Sequence, residues 1–226
     1  MIMNYAFTNG KILNGTKDMQ IQEGLCILVQ EGKITDIVPD TTDLHAYKII
    51  NLHGHYILPG LINMHVHLAG NGKPQKKQRD NEKLVNTIMS SSLIRAVAYN
   101  MVAGFARDEL LSGVTTIRTV GGLGDFDTRL RDEIKAGKKT GPRILAANQG
   151  ISVPGGHMAG SVAIAAATTA DALKHLEKSK KENVDLIKLM ITGGVLDAKE
   201  PGVPGELKMA PEMVRAVCDK AHADGY

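Results

Sequence analysis

Tryptophan is absent from this chain, and only three phenylalanines and five tyrosines supply aromatic bulk. A core must therefore be filled by Val, Ile, Leu, Ala and Met, the side chains that suit parallel strands and barrel layers. Cysteine is as scarce: Cys26 and Cys218 stand far apart, which excludes a disulfide framework and reads as free thiols in a reducing cytoplasm. Cys26, within an apolar strand, belongs to the core. No apolar run approaches the roughly 20 residues of a membrane span. The start, Met1-Ile2-Met3-Asn4-Tyr5, lacks the basic and apolar regions of a secretory signal. The formal charge is only +3, so neither nucleic acid nor an anionic membrane is implied as a partner.

What is present falls into two regimes. Residues 1–58 read as short strands divided by turns: Tyr5–Thr8, Lys11–Leu13, 24–29 and 33–38, with Asn9-Gly10, Asn14-Gly15 and Glu31-Gly32 between them. Asn-Gly pairs supply the positive φ angles of tight hairpins, so an antiparallel β region is expected. From Tyr56 the rhythm changes. Strand candidates at 61–67, 114–120, 143–148 and 185–191 alternate with helical stretches near 82–111, 126–137, 170–182 and 211–224, which argues for a parallel sheet with helical crossovers. That makes about four βα units, half of an eight-unit barrel. A complete barrel takes about 250 residues, so the sequence is expected to be a fragment, ending where a fifth strand would begin. Such a half barrel would leave strand edges unpaired, and is expected to aggregate or assemble if it stands alone.

The densest chemistry lies in His65-Val66-His67. Alternate residues of a strand project from one face, so both imidazoles would enter one cavity while Val66 turns to the opposite layer. Two converging imidazoles suit a divalent metal such as zinc. The plainer alternative is two histidines alternating on a half-buried strand, but an apolar run has little reason to bury two unpaired polar rings. Lys188 is the lone charge in Asp185-Leu186-Ile187-Lys188-Leu189-Met190-Ile191. A lysine there pays a desolvation penalty unless its charge is removed or paired; it removes that charge chemically, or it reaches the mouth of the sheet to hold a substrate anion.

The run Leu58-Pro59-Gly60-Leu61-Ile62-Asn63-Met64-His65-Val66-His67 resembles the first barrel strand of the amidohydrolase superfamily. Gly113–Arg118, Gly141-Pro142-Arg143-Ile144, Pro154-Gly155-Gly156-His157 and 185–190 are similar to the branch of imidazolonepropionase-like and Xaa-Pro-dipeptidase-like enzymes. The resemblance implies an α/β fold: an incomplete (β/α)8 TIM barrel over 59–226, preceded over 1–58 by the N-terminal strands of a small β-sandwich. It also implies a metal-dependent hydrolase of amide or peptide bonds. One or two divalent ions, taken as zinc, would be held by His65, His67 and a carboxylated Lys188, with the remaining ligands beyond Tyr226. The chain as given would then be inactive by itself. A small-molecule amide or dipeptide is the expected substrate, as for a dipeptidase or N-acyl amino acid hydrolase, and a homo-oligomer is left open. An imidazolonepropionase-like opening of a cyclic amide, or a non-catalytic truncated product, are the alternatives. Lys188 argues against the former, which generally lacks the bridging lysine.

The same resemblance gives His157 a substrate-orienting role, against the alternative of an ordinary loop histidine; Gly155-Gly156 would let the backbone approach a ligand. Arg118 ends the second strand and either meets a substrate carboxylate or joins an ion pair lining the barrel. The family often carries Asp directly after this Arg, whereas Thr119 stands here. His45, His53 and His55 match no family ligand and read as structural. His175 and His222 lie in Lys- and Glu-rich helices and are expected to be solvated. The basic loop 70–79 reads as a lid that steers an acidic substrate or as a solvated loop. Gly121-Gly122-Leu123-Gly124 lacks the spacing of a dinucleotide fingerprint.

Overall fold

The computed structural model describes residues 3–70, 72, 80–194 and 205–226; most of the basic loop after the histidine pair therefore lies outside the described residues. The chain folds as two compact units, Met1–Gly60 and Leu61–Tyr226.

The first unit contains β1 (Tyr5–Thr8), β2 (Lys11–Leu13), β3 (Ile21–Gln22), β4 (Leu25–Gln30), β5 (Lys33–Pro39), β6 (Lys48–Asn51) and β7 (Tyr56–Ile57). They form two sheets, ordered β5-β4-β1-β6 and β3-β2-β7. The β4–β5 hairpin turns at Glu31 and Gly32, both at positive φ (49° and 75°), as a two-residue turn requires. Ala6, Cys26, Ile27 and Leu28 are buried. The expected β1–β2 hairpin does not form. Asn9 adopts the left-handed conformation (φ 53°), yet β1 and β2 lie in different sheets, and each pairs in parallel with a later strand, β6 or β7. Asn-Gly encodes a local bend, not the partner of the strand that leaves it. Gly10 is packed so tightly under Leu52 that a Cβ would collide.

The second unit opens with β8 (Leu61–Val66), α1 (Asn81–Ser90), α2 (Ser92–Leu111), β9 (Val114–Thr119), α3 (Phe126–Lys135) and β10 (Arg143–Leu145). The three strands form a parallel sheet ordered β10-β9-β8. Val66, Leu68, Ile117 and Ile144 from the strand side meet Tyr99, Val102 and Ala106 of α2 and Phe126 and Leu130 of α3 in one core. The helical spacings 99/102/106 and 126/130 put each set on one stripe. The long helix expected over 82–111 is broken at Ser91, which is extended (φ −123°, ψ 127°) and caps α2 by accepting from the Ile94 amide. The run Ser90-Ser91-Ser92 offers side chains that compete for backbone hydrogen bonds.

Beyond β10 come β11 (Gly150–Ser152), β12 (Ala163–Ala165), α4 (Thr169–Lys181) and α5 (Pro211–Ala223). Helix α4 begins with a capping box between Thr168 and Asp171, and α5 has Pro at its first turn. A second core joins Ile151, Leu176, Met209, Met213 and Val217. The strand expected over 185–191 forms no regular ladder. It runs parallel to the chain leaving β10 through isolated bonds: Asp185 N to Ala146 O (2.7 Å), Ile151 N to Lys188 O and Met190 N to Ile151 O (both 2.8 Å). β11 also pairs with β12, so its backbone groups are divided between two neighbours.

His175 corrects an expectation. Its side chain is buried, and Nε2 donates to Gln149 O at 3.1 Å. It shares the inward stripe of α4 with Ala172, Leu176 and Ser179, and the Lys and Glu residues occupy the other face. Desolvation lowers its pKa, against the raising effect of the Gln149 bond. His222 is exposed, as expected.

Candidate active site

The site is built on the end of β8. Val66 and Leu68 turn into the core, at 7% and 1% exposure, so the alternation of an extended chain sends His65 and His67 the other way. Their Nε2 atoms stand 3.3 Å apart, with ring centroids 5.2 Å apart and planes at 63°. Two nitrogens each 2.0–2.1 Å from one tetrahedral centre would be about 3.3 Å apart. The pair therefore has the spacing of two ligands on one ion.

The tautomer of His67 follows from its surroundings. Nδ1 lies 3.0 Å from the Gly121 carbonyl oxygen, which can only accept, so Nδ1 carries the proton and Nε2 offers its lone pair toward His65. Gly121 sits at φ 137°, and a Cβ there would press on the His67 ring at 3.1 Å and the Met190 methyl at 3.0 Å. Only glycine suits both demands. Sequence reasoning dismissed Gly121-Gly122 as a phosphate loop and missed this role; a glycine pair directly after a strand was the available signal.

Lys188 comes to the same place. It is half-buried rather than fully enclosed, and its stem passes over Gly150. Desolvation first, and then the Arg118 guanidinium, pull its pKa below the ordinary lysine value. Desolvation likewise lowers both histidines, and the positive charge of Lys188 and the nearby His157 add to this. Arg118 donates from Nε to Met64 O at 2.8 Å; its field also lowers His65. The structure thus gathers His65, His67, Arg118, His157 and Lys188 within electrostatic reach of one another. Among the described residues, no group of three or more His, Cys, Asp or Glu is placed to hold a metal ion. His157 lies directly over Gly194, where any Cβ would collide with its ring. His53 and His55 belong to the first unit; His55 Nδ1 bonds Leu52 O at 2.7 Å.

Asp127 was not singled out from the sequence. Its carboxyl is 1% exposed, and burial raises its pKa to about 6 against the lowering effect of a hydrogen bond from Thr119. Among the described residues its Oδ2 has no hydrogen-bond partner, and Gly122 packs against it without room for a Cβ. Position 127 follows Phe126 on the inward side of α3, which is the only sequence signal it offered.

A parallel sheet with helical crossovers and a histidine pair at a strand end define an α/β protein with a candidate metal site, and comparison names its family. Residues 56–226 match the Amidohydrolase family, and the chain belongs to it. It is similar to a putative prolidase from Bifidobacterium longum, 32% identical with a TM-score of 0.74, covering 100% of this chain and 48% of that one. It is similar also to a Xaa-Pro dipeptidase solved with methionine in its active site, 28% identical with a TM-score of 0.75, covering 98% and 55%. A dihydroorotase of Bacillus cereus (strain G9842) is 36% identical over 75 residues, 33% of this chain and 17% of that protein. The chain thus spans about half the length of these solved structures and a smaller part of the dihydroorotase. No helix among the described residues is long and apolar enough to cross a membrane.

Proposed function

We propose that residues 59–226 form the first half of a (β/α)8 barrel, that 1–58 contribute strands to a small β-sandwich, and that the full-length protein is a metal-dependent amide hydrolase acting on dipeptides or N-acyl amino acids. The observation that carries the reading is the 3.3 Å approach of the two Nε2 atoms on the side of the sheet to which Lys188 also comes.

His65 and His67 would hold a divalent ion, zinc being the natural choice for imidazole ligands. Such an ion lowers the pKa of its bound water toward neutrality and polarises a carbonyl. The Gly121 carbonyl keeps His67 in the tautomer a ligand needs, the arrangement usual behind metal-bound imidazole. Lys188 would act through its neutral amine, which its lowered pKa makes more available. The neutral Nζ would add to carbon dioxide, forming an N–C bond as one C=O π pair moves to oxygen and releasing a proton to water, and the resulting carbamate would serve with His65 and His67 to hold divalent metal. His157 would orient the scissile carbonyl through a polar hydrogen bond.

A second reading, opening of a cyclic amide, draws on the stretch shared with dihydroorotase. To separate them, amine release from Gly-Pro, Leu-Pro and N-acetylated amino acids is assayed beside ring opening of dihydroorotate, with metal content measured by elemental analysis. Hydrolysis of the linear amides that is lost in His65→Ala and His67→Ala supports the first reading. Activity on the ring alone favours the second. Full activity in metal-stripped protein would remove both.

A further inference from the structure

His67 also borders a recess of about 290 Å³. Leu84, Val85 and Ile88 of α1 form one wall, Leu123, Met158 and Val162 the opposite one. Among the described residues no charged side chain lines it, and Asn81 and Ser161 are its polar side chains besides His67. Helix α1 is fitted to the facing loops: Met89 lies against Gly124 and Glu82 against Gly160, each too close for a Cβ.

Met158 is held there against local preference. It occupies the left-handed region (φ 55°), which a non-glycine residue enters only when its surroundings dictate. Three donors converge on its carbonyl: Ser161 Oγ at 2.8 Å, Ser161 N at 3.1 Å and Ala163 N at 3.3 Å. Neither Lys188 nor Arg118 is among its lining residues.

We propose that this recess is a specificity subsite that takes the apolar side chain of the residue flanking the scissile amide, which makes bulky aliphatic dipeptides and N-acyl amino acids the preferred substrates. The proposal rests on the amide-hydrolase reading for its chemistry, but not for the binding itself. Each buried methylene contributes roughly a fourfold preference, so Leu-Pro should exceed Gly-Pro in kcat/KM by at least about tenfold.

Two measurements test it. In the first, Leu84→Glu should reduce the leucyl-to-glycyl ratio of kcat/KM at least about tenfold. Leu84 is 44% exposed, so folding should survive, and Ile88→Gln serves if it does not. In the second, protein labelled with ¹³C at its methionine methyls is titrated with N-acetyl-L-leucine and with N-acetylglycine, the Met158 signal being assigned through Met158→Leu. The Met158 methyl should shift with the leucine derivative only. Selective binding with that shift, but no hydrolysis of any amide, would uphold the subsite and remove the hydrolase reading. Equal handling of leucyl and glycyl compounds with an unmoved Met158 methyl would overturn the subsite.

Discussion

The Thr119 hydroxyl lies beside the Asp127 carboxyl in a place that water scarcely reaches, at 0% and 1% exposure. Thr119 ends β9 and Asp127 lies in the first turn of α3, so the contact joins the sheet to the helix that follows it.

This pair makes stability depend on pH. The Asp127 carboxyl rises from 3.8 to about 6 in the fold, so the folded chain holds the proton more tightly than the unfolded one. Its contribution is complete below about pH 4 and lost as pH rises through about 6. The size is on the order of 3 kcal/mol. Asp127→Asn should flatten that part of the profile, read from urea midpoints at pH 4, 5, 6 and 7. An unchanged slope in the variant would assign the pH dependence to other groups.

Gly121→Ala should weaken metal binding more than it weakens the fold. The new methyl would push against the ring of His67 and disturb the carbonyl that fixes its tautomer. Loss of such an outer partner typically costs about 10–100-fold in affinity. Calorimetric titration with zinc, well below the melting temperature, would read it; wild-type affinity would show that Gly121 serves only the backbone.

For Lys188→Ala in the full-length protein, the bridging role predicts one tightly bound ion where the unaltered protein holds two, with most activity gone. Elemental analysis decides, since two ions retained in the variant contradict a bridge.

His157→Ala should keep its metal and lose turnover. Removing one donor to a developing oxyanion costs about 2.7–4 kcal/mol of barrier. Steady-state kinetics with several dipeptides would show kcat/KM falling by about 10² or more. Unaltered values would return His157 to the status of a loop residue.

The histidine pair was legible in the sequence because a period of two survives folding: Val66 is buried, so His65 and His67 must face away from that core. Helices α3, α4 and α5 were legible as the helical stretches that alternate with the strand candidates. The sheet change at Asn9-Gly10 was not, because pairing is decided by residues some forty positions later, as in Lys11 N to His55 O. Nor was the thin pairing of 185–190, which depends on β12 competing for β11. His175 misled because helix composition was weighed before helix face. The Gly121 carbonyl and the buried Asp127 escaped notice because one is a backbone group and the other looked like an ordinary helix-start acid.

Helix α1 buries none of its side chains completely and is divided from α2 by a single extended serine. Its residues can therefore drift through mutation at little cost to the parallel sheet. Descendants of this chain could acquire new tastes by rewriting ten residues of α1, with the inherited reaction left untouched on another stretch of the polypeptide.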